Sequence, residues 1–198
     1  MAEYDATTGA PINSSFITNS EYGPMALFGN ELFLSGSNGS TTVSEYDATT
    51  GALINPSFMT GLLDPTSMAV SGSDLYVANY NSIAEYNAVT GATINSSLVT
   101  GISATGVAIL GNILYVARRA SVSEYDATTG ALINATFITG LYPVSQSVAI
   151  SGSDLYVVGN GAYVGLYDAT TGDPLNPYVL GGNDGGGIAI SGSNVYLK

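Results

Sequence analysis

The 198-residue chain carries 15 acidic against three basic side chains, a net charge of −12, and has neither cysteine nor histidine. That balance argues against nucleic acid and against an anionic membrane surface, because no basic stripe exists to displace counterions. It also removes disulfides, thiol nucleophiles, Cys- or His-ligated metals and the commonest general base. Hydrophobic residues at 45% suffice for a core, while charged residues at 9% leave solubility to Ser, Thr, Asn and Gly. No apolar run reaches membrane-spanning length.

One phrase organises the chain. It first reads Glu3-Tyr4-Asp5-Ala6-Thr7-Thr8-Gly9 and returns at 45–51, at 85–91 (as EYNAVTG), at 124–130 and at 166–172 (as LYDATTG). The tyrosines at 4, 46, 86, 125 and 167 lie 42, 40, 39 and 42 residues apart. A period near 40 is long for one coil of a β-solenoid and suits a propeller blade of about 40–45 residues.

In chain order the predicted elements are a strand pair c and d, then four rounds of a, b, c and d, then a final pair a and b. The second round shows the type. Ser67 to Val70 is strand a, Asp74 to Ala78 strand b, Ile83 to Tyr86 strand c and Thr93 to Val99 strand d. Ser71-Gly72-Ser73 between a and b is a tight hairpin signal. Asn87-Ala88-Val89-Thr90-Gly91 between c and d combines an Asx side chain that can accept a nearby N–H with a glycine free to take positive φ. No segment sustains a 3.6-residue period. Each strand a carries one alanine (Ala26, Ala69, Ala108, Ala149, Ala189), as crowding around an axis requires, with apolar neighbours that suit a strand covered on both faces. Tyrosines on b and c supply area for blade-to-blade contacts.

The phrases LYVAN (75–79), LYVAR (114–118) and LYVVG (155–159), followed by V-x-EYDATTG and a downstream AVSG or AISG, resemble the YVTN-type and NHL-type propeller repeats of bacterial surface and secreted proteins. The resemblance covers essentially the whole chain. It implies a β-propeller, and a secreted or extracellular protein whose export signal is missing from this chain. Members of those families commonly have six or more blades and bind many different things.

The strand count gives five of each type. The expectation is therefore an all-β, single-domain, five-bladed propeller over 1–198, with four antiparallel strands per blade. Its ring is closed by pairing the C-terminal a–b strands (188–198) with the N-terminal c–d strands (2–18). Joining the ends would give a tyrosine spacing of 35, short by about one b–c loop. A monomer is expected, with a domain-swapped oligomer as the rival arrangement.

The repeated polar residues read as structural. Glu3, Glu45, Glu85 and Glu124 on strand c should be solvated or hydrogen-bonded residues set apart from one another, since Leu166 replaces them in the fifth copy. Asp5, Asp47, Asp126 and Asp168, with Asn87 in the third copy, should bond the c–d turn, because Asn serves equally well. Asp74, Asp154, Glu31 and Asn194 read as solvated hairpin ends. The sequons at Asn13, Asn95 and Asn134 read as a repeated Asn in a Ser/Thr-rich strand. No metal and no cofactor are expected.

Function needs residues that break the symmetry. The a–b and c–d turns barely change between copies, whereas the d–a and b–c loops vary, and these two variable sets should emerge on one face. The candidate ligand-binding residues there are Tyr22, Asp64, Tyr80, Arg118, Arg119, Tyr142, Tyr163 and Asp184. The leading expectation is a non-catalytic binding module for an unknown protein or glycan. The alternatives are an amplified or engineered scaffold with no ligand, and a carbohydrate-active enzyme using Glu21, Asp64 and Asp184. The scaffold reading rests on SEYDATTGALIN and SGSDLYV, which two of the copies share letter for letter. The enzyme reading lacks a tryptophan for sugar stacking and any catalytic motif.

Overall fold

The computed structural model describes residues 1–5, 8–18, 23–36, 39–141, 145–159, 163–181, 187–191 and 194–197. Glu3–Tyr4 (β1) pairs with Pro11–Asn13 (β2). Four antiparallel four-stranded sheets follow. Blade I is Met25–Phe28, Glu31–Ser35, Thr42–Asp47 and Leu53–Thr60 (β3 to β6). Blade II is Ser67–Ser71, Asp74–Asn79, Ser82–Asn87 and Thr93–Thr100 (β7 to β10). Blade III is Gly106–Leu110, Ile113–Arg118, Ser121–Asp126 and Leu132–Thr139 (β11 to β14). Blade IV is Ser145–Ser151, Asp154–Gly159, Tyr163–Asp168 and Pro174–Gly181 (β15 to β18). Ile188–Ser191 (β19) then pairs with Asn194–Leu197 (β20). Every strand expected from the repeat is present, in the expected order.

The number of blades is four, not five, and the ring is not sealed by the chain ends. The expected seam required β1–β2 and β19–β20 to join as one sheet, but they are separate two-stranded sheets. Each sits against its neighbour in sequence instead. Phe16 and Ile17, just beyond β2, pack with Leu32 and Leu34 of blade I. The Met1 ammonium group donates to the Ile17 carbonyl at 2.7 Å. At the other end β19 lies against β15. Counting strands shows which elements exist but not whether the leftover pairs find each other. A neighbour in sequence is reached with a short loop, whereas the seam demands closure over the whole chain. The reward would be small, because β1 has two residues and β2 three. Met25 and Leu27 on β3 are 53% and 59% exposed as a result, although Met68, at the matching place in blade II, is buried.

The cores lie between blades rather than at one centre. Phe33, Val43, Phe58 and Met59 of blade I pack with Met68, Leu75, Val77 and Ala88 of blade II. Blades II and III meet through Tyr76, Ile83 and Leu98 against Val107, Leu114 and Ala127. Blades III and IV meet through Tyr115, Val122 and Phe137 against Val148, Leu155 and Ala169. Each large apolar side chain buried this way is worth about 1.5–3 kcal/mol. The inner strands β3, β7, β11, β15 and β19 run side by side, and the Val107 N–H donates to Ser67 Oγ at 3.0 Å across one such contact. The small alanine of strand a lets neighbouring inner strands approach.

The recurring phrase explains how one blade locks to the next. The N–H groups of Thr49 and Thr50 donate to Asp47 Oδ1 at 2.9 and 2.7 Å, folding the c–d turn. Asn87 Oδ1 receives the same pair of bonds, from Val89 and Thr90. The alanine that follows is buried against the preceding blade at Ala88, Ala127 and Ala169. Its N–H donates to the a–b turn of its own blade: Ala48 to Asn30, Ala88 to Ser73, Ala127 to Asn112 and Ala169 to Ser153. The glycine takes φ near +70° and lies against the carbonyl of the preceding outer strand. A Cβ at Gly91 would stand 2.2 Å from the Phe58 oxygen. In the third junction the Tyr115 hydroxyl, fully buried, donates to the Ala169 carbonyl.

The outer strands are bent at a fixed place. Asn55, Asn95, Asn134 and Asn176 each accept, through Oδ1, the N–H two residues on, at 3.0–3.1 Å, and the ladder register shifts there. Asn13 does the same. The asparagines of the three sequons therefore hold a bulge. Ahead of that bulge the outer strands expose Leu53, Ile54, Ile94, Leu132, Ile133 and Leu175.

Two substitutions test the junction. Gly91→Ala must pay both the positive φ and the collision with Phe58, and we expect a loss of about 3 kcal/mol or more. Gly72→Ala has positive φ but open space around it, and we expect about 1 kcal/mol. Equal losses in denaturant titrations of the two variants would contradict this account. Separately, Tyr115→Phe leaves the buried Ala169 carbonyl without its donor and should cost about 1–3 kcal/mol in the same titration.

Candidate binding face

The two ends of the blades are built differently. At one end the a–b and c–d turns are tied together by the same bonds in every blade, as described for Ala48, Ala88, Ala127 and Ala169. At the other end lie the d–a and b–c loops, which the sequence led us to expect on one face, and their backbones bond to one another. Leu62 and Asp64 of the d–a loop after blade I donate backbone bonds to Thr41 and Ser40 of that blade's b–c loop. Tyr80, in the b–c loop of blade II, donates its N–H to Leu63 at 2.8 Å. Gly101 and Ile102 donate to Asn81, and Leu141 donates to Ala120. After blades I, II and III the d–a loop is thus tied to the b–c loop of the blade it leaves, and after blade I to that of the next blade as well.

The candidate residues divide by place. Arg118 ends β12, and Arg119 with Ala120 makes the two-residue turn into β13. They line an open depression of about 390 Å³ with Gly101, Ile102, Ser103 and Ser121. Tyr80 is 70% exposed, and so is Leu63 beside it. Tyr163 is 45% exposed and meets Tyr178 of the outer strand edge-on, with ring centroids 5.3 Å apart. Asp64 has φ +52° and accepts the Gly39 N–H through Oδ1 at 2.9 Å, so its carboxylate holds a loop. Tyr22, Tyr142 and Asp184 lie outside the described residues, as does Glu21. The trio Glu21, Asp64 and Asp184 is therefore represented by Asp64 alone.

Sequence reasoning missed Leu63 and Tyr178. Leu62 and Leu63 are a doublet of which one is buried and one exposed, and only the loop geometry decides which. Tyr178 stands where the other outer strands carry Ser57, Ser97 and Thr136, and that break in the pattern was the available signal.

The strand-c glutamates correct an expectation. Glu45, Glu85 and Glu124 are buried, not solvated. Strand c is the third of four strands, and the neighbouring blade covers it. Burial raises all three above the usual carboxylate range, with Glu31 adding to the effect on Glu45 and Asp74 adding to that on Glu85. Glu31 is not a solvated hairpin end either, because its Oε2 is buried without a hydrogen-bond partner. Tyr76, facing Glu85 across the ladder, is pushed up to about 12 by its own burial and then by Glu85, Asp74 and Asp126. The turn aspartates behave oppositely. Hydrogen bonds from threonine backbone and side-chain groups hold Asp47, Asp126 and Asp168 below the ordinary value. Among the described residues no group of three acidic side chains is placed to hold a metal ion.

The fold and this face define a repeat protein of propeller type. No family model matches the chain, and no curated protein matches it either. Solved structures do. The computationally designed Ika8 protein superposes with a TM-score of 0.62 at 16% identity, over 96% of this chain and 59% of Ika8. The designed Ika4 protein gives 0.58 at 14%, over 77% and 93%. The WD40 repeats of RRP9 give 0.64 at 12%, over 80% and 51%. The chain therefore spans little more than half the length of Ika8 and of RRP9. At these identities the likeness establishes the fold, and the resemblance to YVTN-type and NHL-type repeats rests on the quoted phrases alone.

The buried glutamates generate a pH prediction. An unfolded glutamate ionises near 4.5 and the native ones above it. Below 4.5 both states are protonated, and Glu85→Gln or Glu124→Gln should leave the melting midpoint nearly unchanged. As pH rises through the native value, ionising the buried carboxylate opposes folding, so each variant should melt higher than the parent at pH 7. Thermal melts from pH 4 to pH 8 check this, and a gap that does not widen with pH contradicts it.

Proposed function

We propose that this protein is a non-catalytic binding module whose ligand sits on the face formed by the d–a and b–c loops. The observation that carries the reading is the contrast between the two ends of the blades. At one end every blade spends its polar groups on the same internal bonds. At the other, side chains differ from blade to blade, several large ones (Leu63, Tyr80 and Tyr163) stand in solvent, and the loops of blades II and III line the depression of Arg118 and Arg119. Aromatic and arginine side chains are favoured where binding energy concentrates. Varied loops on a rigid scaffold are the usual seat of recognition.

A second reading, a repeat scaffold with no ligand, is favoured by one observation: the letter-for-letter identity of SEYDATTGALIN and SGSDLYV in two of the copies. The two readings separate in a binding screen against glycan and peptide arrays. For any ligand found, Tyr80→Ala and Tyr163→Ala should weaken binding by about tenfold or more, as expected for exposed aromatic anchors. Val89→Ser, on the c–d turn at the opposite end, should leave it unchanged. Binding that responds to Val89→Ser and ignores both tyrosines would overturn the proposed face. A blank result on both arrays favours the scaffold.

A further inference from the structure

The contacts between complete blades define what a finished junction buries, and each end of the chain holds half of one. Met68, Val107 and Val148 stand at matching places on β7, β11 and β15, and each is buried in the cluster shared with the preceding blade. Their counterpart on β3 is Met25, which with Leu27 stays exposed. The unit ahead of blade I is β1 and β2, a c–d pair, and no a–b pair joins it in a sheet among the described residues. The other end is the converse. β19 lies against β15 as the other inner strands lie against one another, but β19 and β20 are an a–b pair with no c–d pair in their sheet. The alanine of an inner strand faces the following blade: Ala26, Ala69 and Ala108 belong to the clusters formed with blades II, III and IV. Ala189, at the same place on β19, is exposed.

Both half-blades already have the register of whole ones. Glu3 opposite Asn13 repeats Glu85 opposite Asn95, and Ile190 opposite Val195 repeats Val70 opposite Leu75. In every complete blade a leucine of strand b stands opposite the tyrosine of strand c: Leu32 and Tyr46, Leu75 and Tyr86, Leu114 and Tyr125, Leu155 and Tyr167. Val195 and Tyr4 hold those two places in the half-blades. Tyr4 is 61% exposed, whereas Tyr86 and Tyr125 are buried. We propose that a second copy of this chain supplies the missing half, with β20 of one copy pairing with β1 of the other and the β19–β20 hairpin covering Met25 and Leu27. The contact is head to tail, and it reuses the blade junction that the chain makes within itself. Inside one chain the same pairing requires the whole arc to bend until its ends meet. Between copies neither arc bends, and the cost is that of bringing two molecules together, which concentration offsets. The net charge of −12 on each copy opposes their approach, so added salt strengthens the contact.

The chain has no cysteine, so two single variants read the contact directly. Residues facing each other across an antiparallel ladder have Cα atoms about 4.5–5.5 Å apart, within disulfide reach. Tyr4→Cys and Val195→Cys are made in separate copies, mixed and mildly oxidised. The expected product is a covalent dimer joining one variant to the other, well above what either variant forms alone. The unaltered chain is followed by sedimentation velocity from about 1 μM to about 1 mM. Its mass should rise with concentration and rise further with salt. Met25→Asp combined with Leu27→Asp should return it to the mass of a single chain and leave the melting midpoint nearly unchanged, since both side chains are exposed in the separate molecule. Ile54→Asp combined with Ile133→Asp, on the outer strands, should leave the association as it was. A single-chain mass at every concentration overturns the proposal. So does a mixture that crosslinks no better than its components. A Tyr4→Cys/Val195→Cys double variant that closes on itself at high dilution also overturns it, because the ends then meet within one chain. Association that survives the Met25 and Leu27 changes but is lost with those at Ile54 and Ile133 overturns it in favour of pairing between outer strands.

Discussion

The structure depends on one contact, the face-to-face packing of each blade on the next. No single blade could stand alone, because a four-stranded sheet with two apolar faces has nothing to bury them against. The c–d turn makes the contact specific. Its aspartate folds the turn, its alanine fills the space beneath the preceding blade, and its glycine lies so close to the neighbouring carbonyl that no side chain fits. A residue-level repeat thereby becomes a repeat of interfaces. The same dependence explains the exposed Met25 and Leu27, on the face of β3 that the described residues leave uncovered.

Much of this was legible in the sequence, for reasons that can be named. Strands came from a period near 40 and from punctuation by Gly, Asp and Ser at fixed offsets. The turn role of Asp47, Asp126 and Asp168 came from Asn87 standing in for them. What failed was long-range. Five sets of strand positions do not dictate that β1–β2 and β19–β20 share a sheet, because pattern reports local propensity and not the entropy of closing the whole chain. The strand-c glutamates failed for a related reason. A charged residue in a half-polar strand reads as solvated, and only the arrival of the next blade buries Glu45, Glu85 and Glu124.

The candidate face was legible as loops and not as a shape. Variability between copies pointed to the d–a and b–c segments, and the hydrogen bonds from Leu62, Tyr80 and Gly101 show them interleaved. Sequence singled out Arg118 and Arg119 as rare cations. It could not show that they share a hollow with Ile102 and Ser103, nor that Leu63 turns outward while Leu62 turns in. Those outcomes follow from how one loop crosses another, which no propensity encodes.

The bulged outer strands carry a consequence beyond the single molecule. An outer strand is a free sheet edge, and eight-residue edges with exposed Leu and Ile invite a second copy to add itself, strand by strand, into a fibre. The asparagine in mid-strand turns part of that edge inward by capturing a backbone N–H for itself. A template that changes register halfway is a poor one to copy. Alongside the repulsion of a net charge of −12, those asparagines act against aggregation at the edges, and the device is renewed in each repeat.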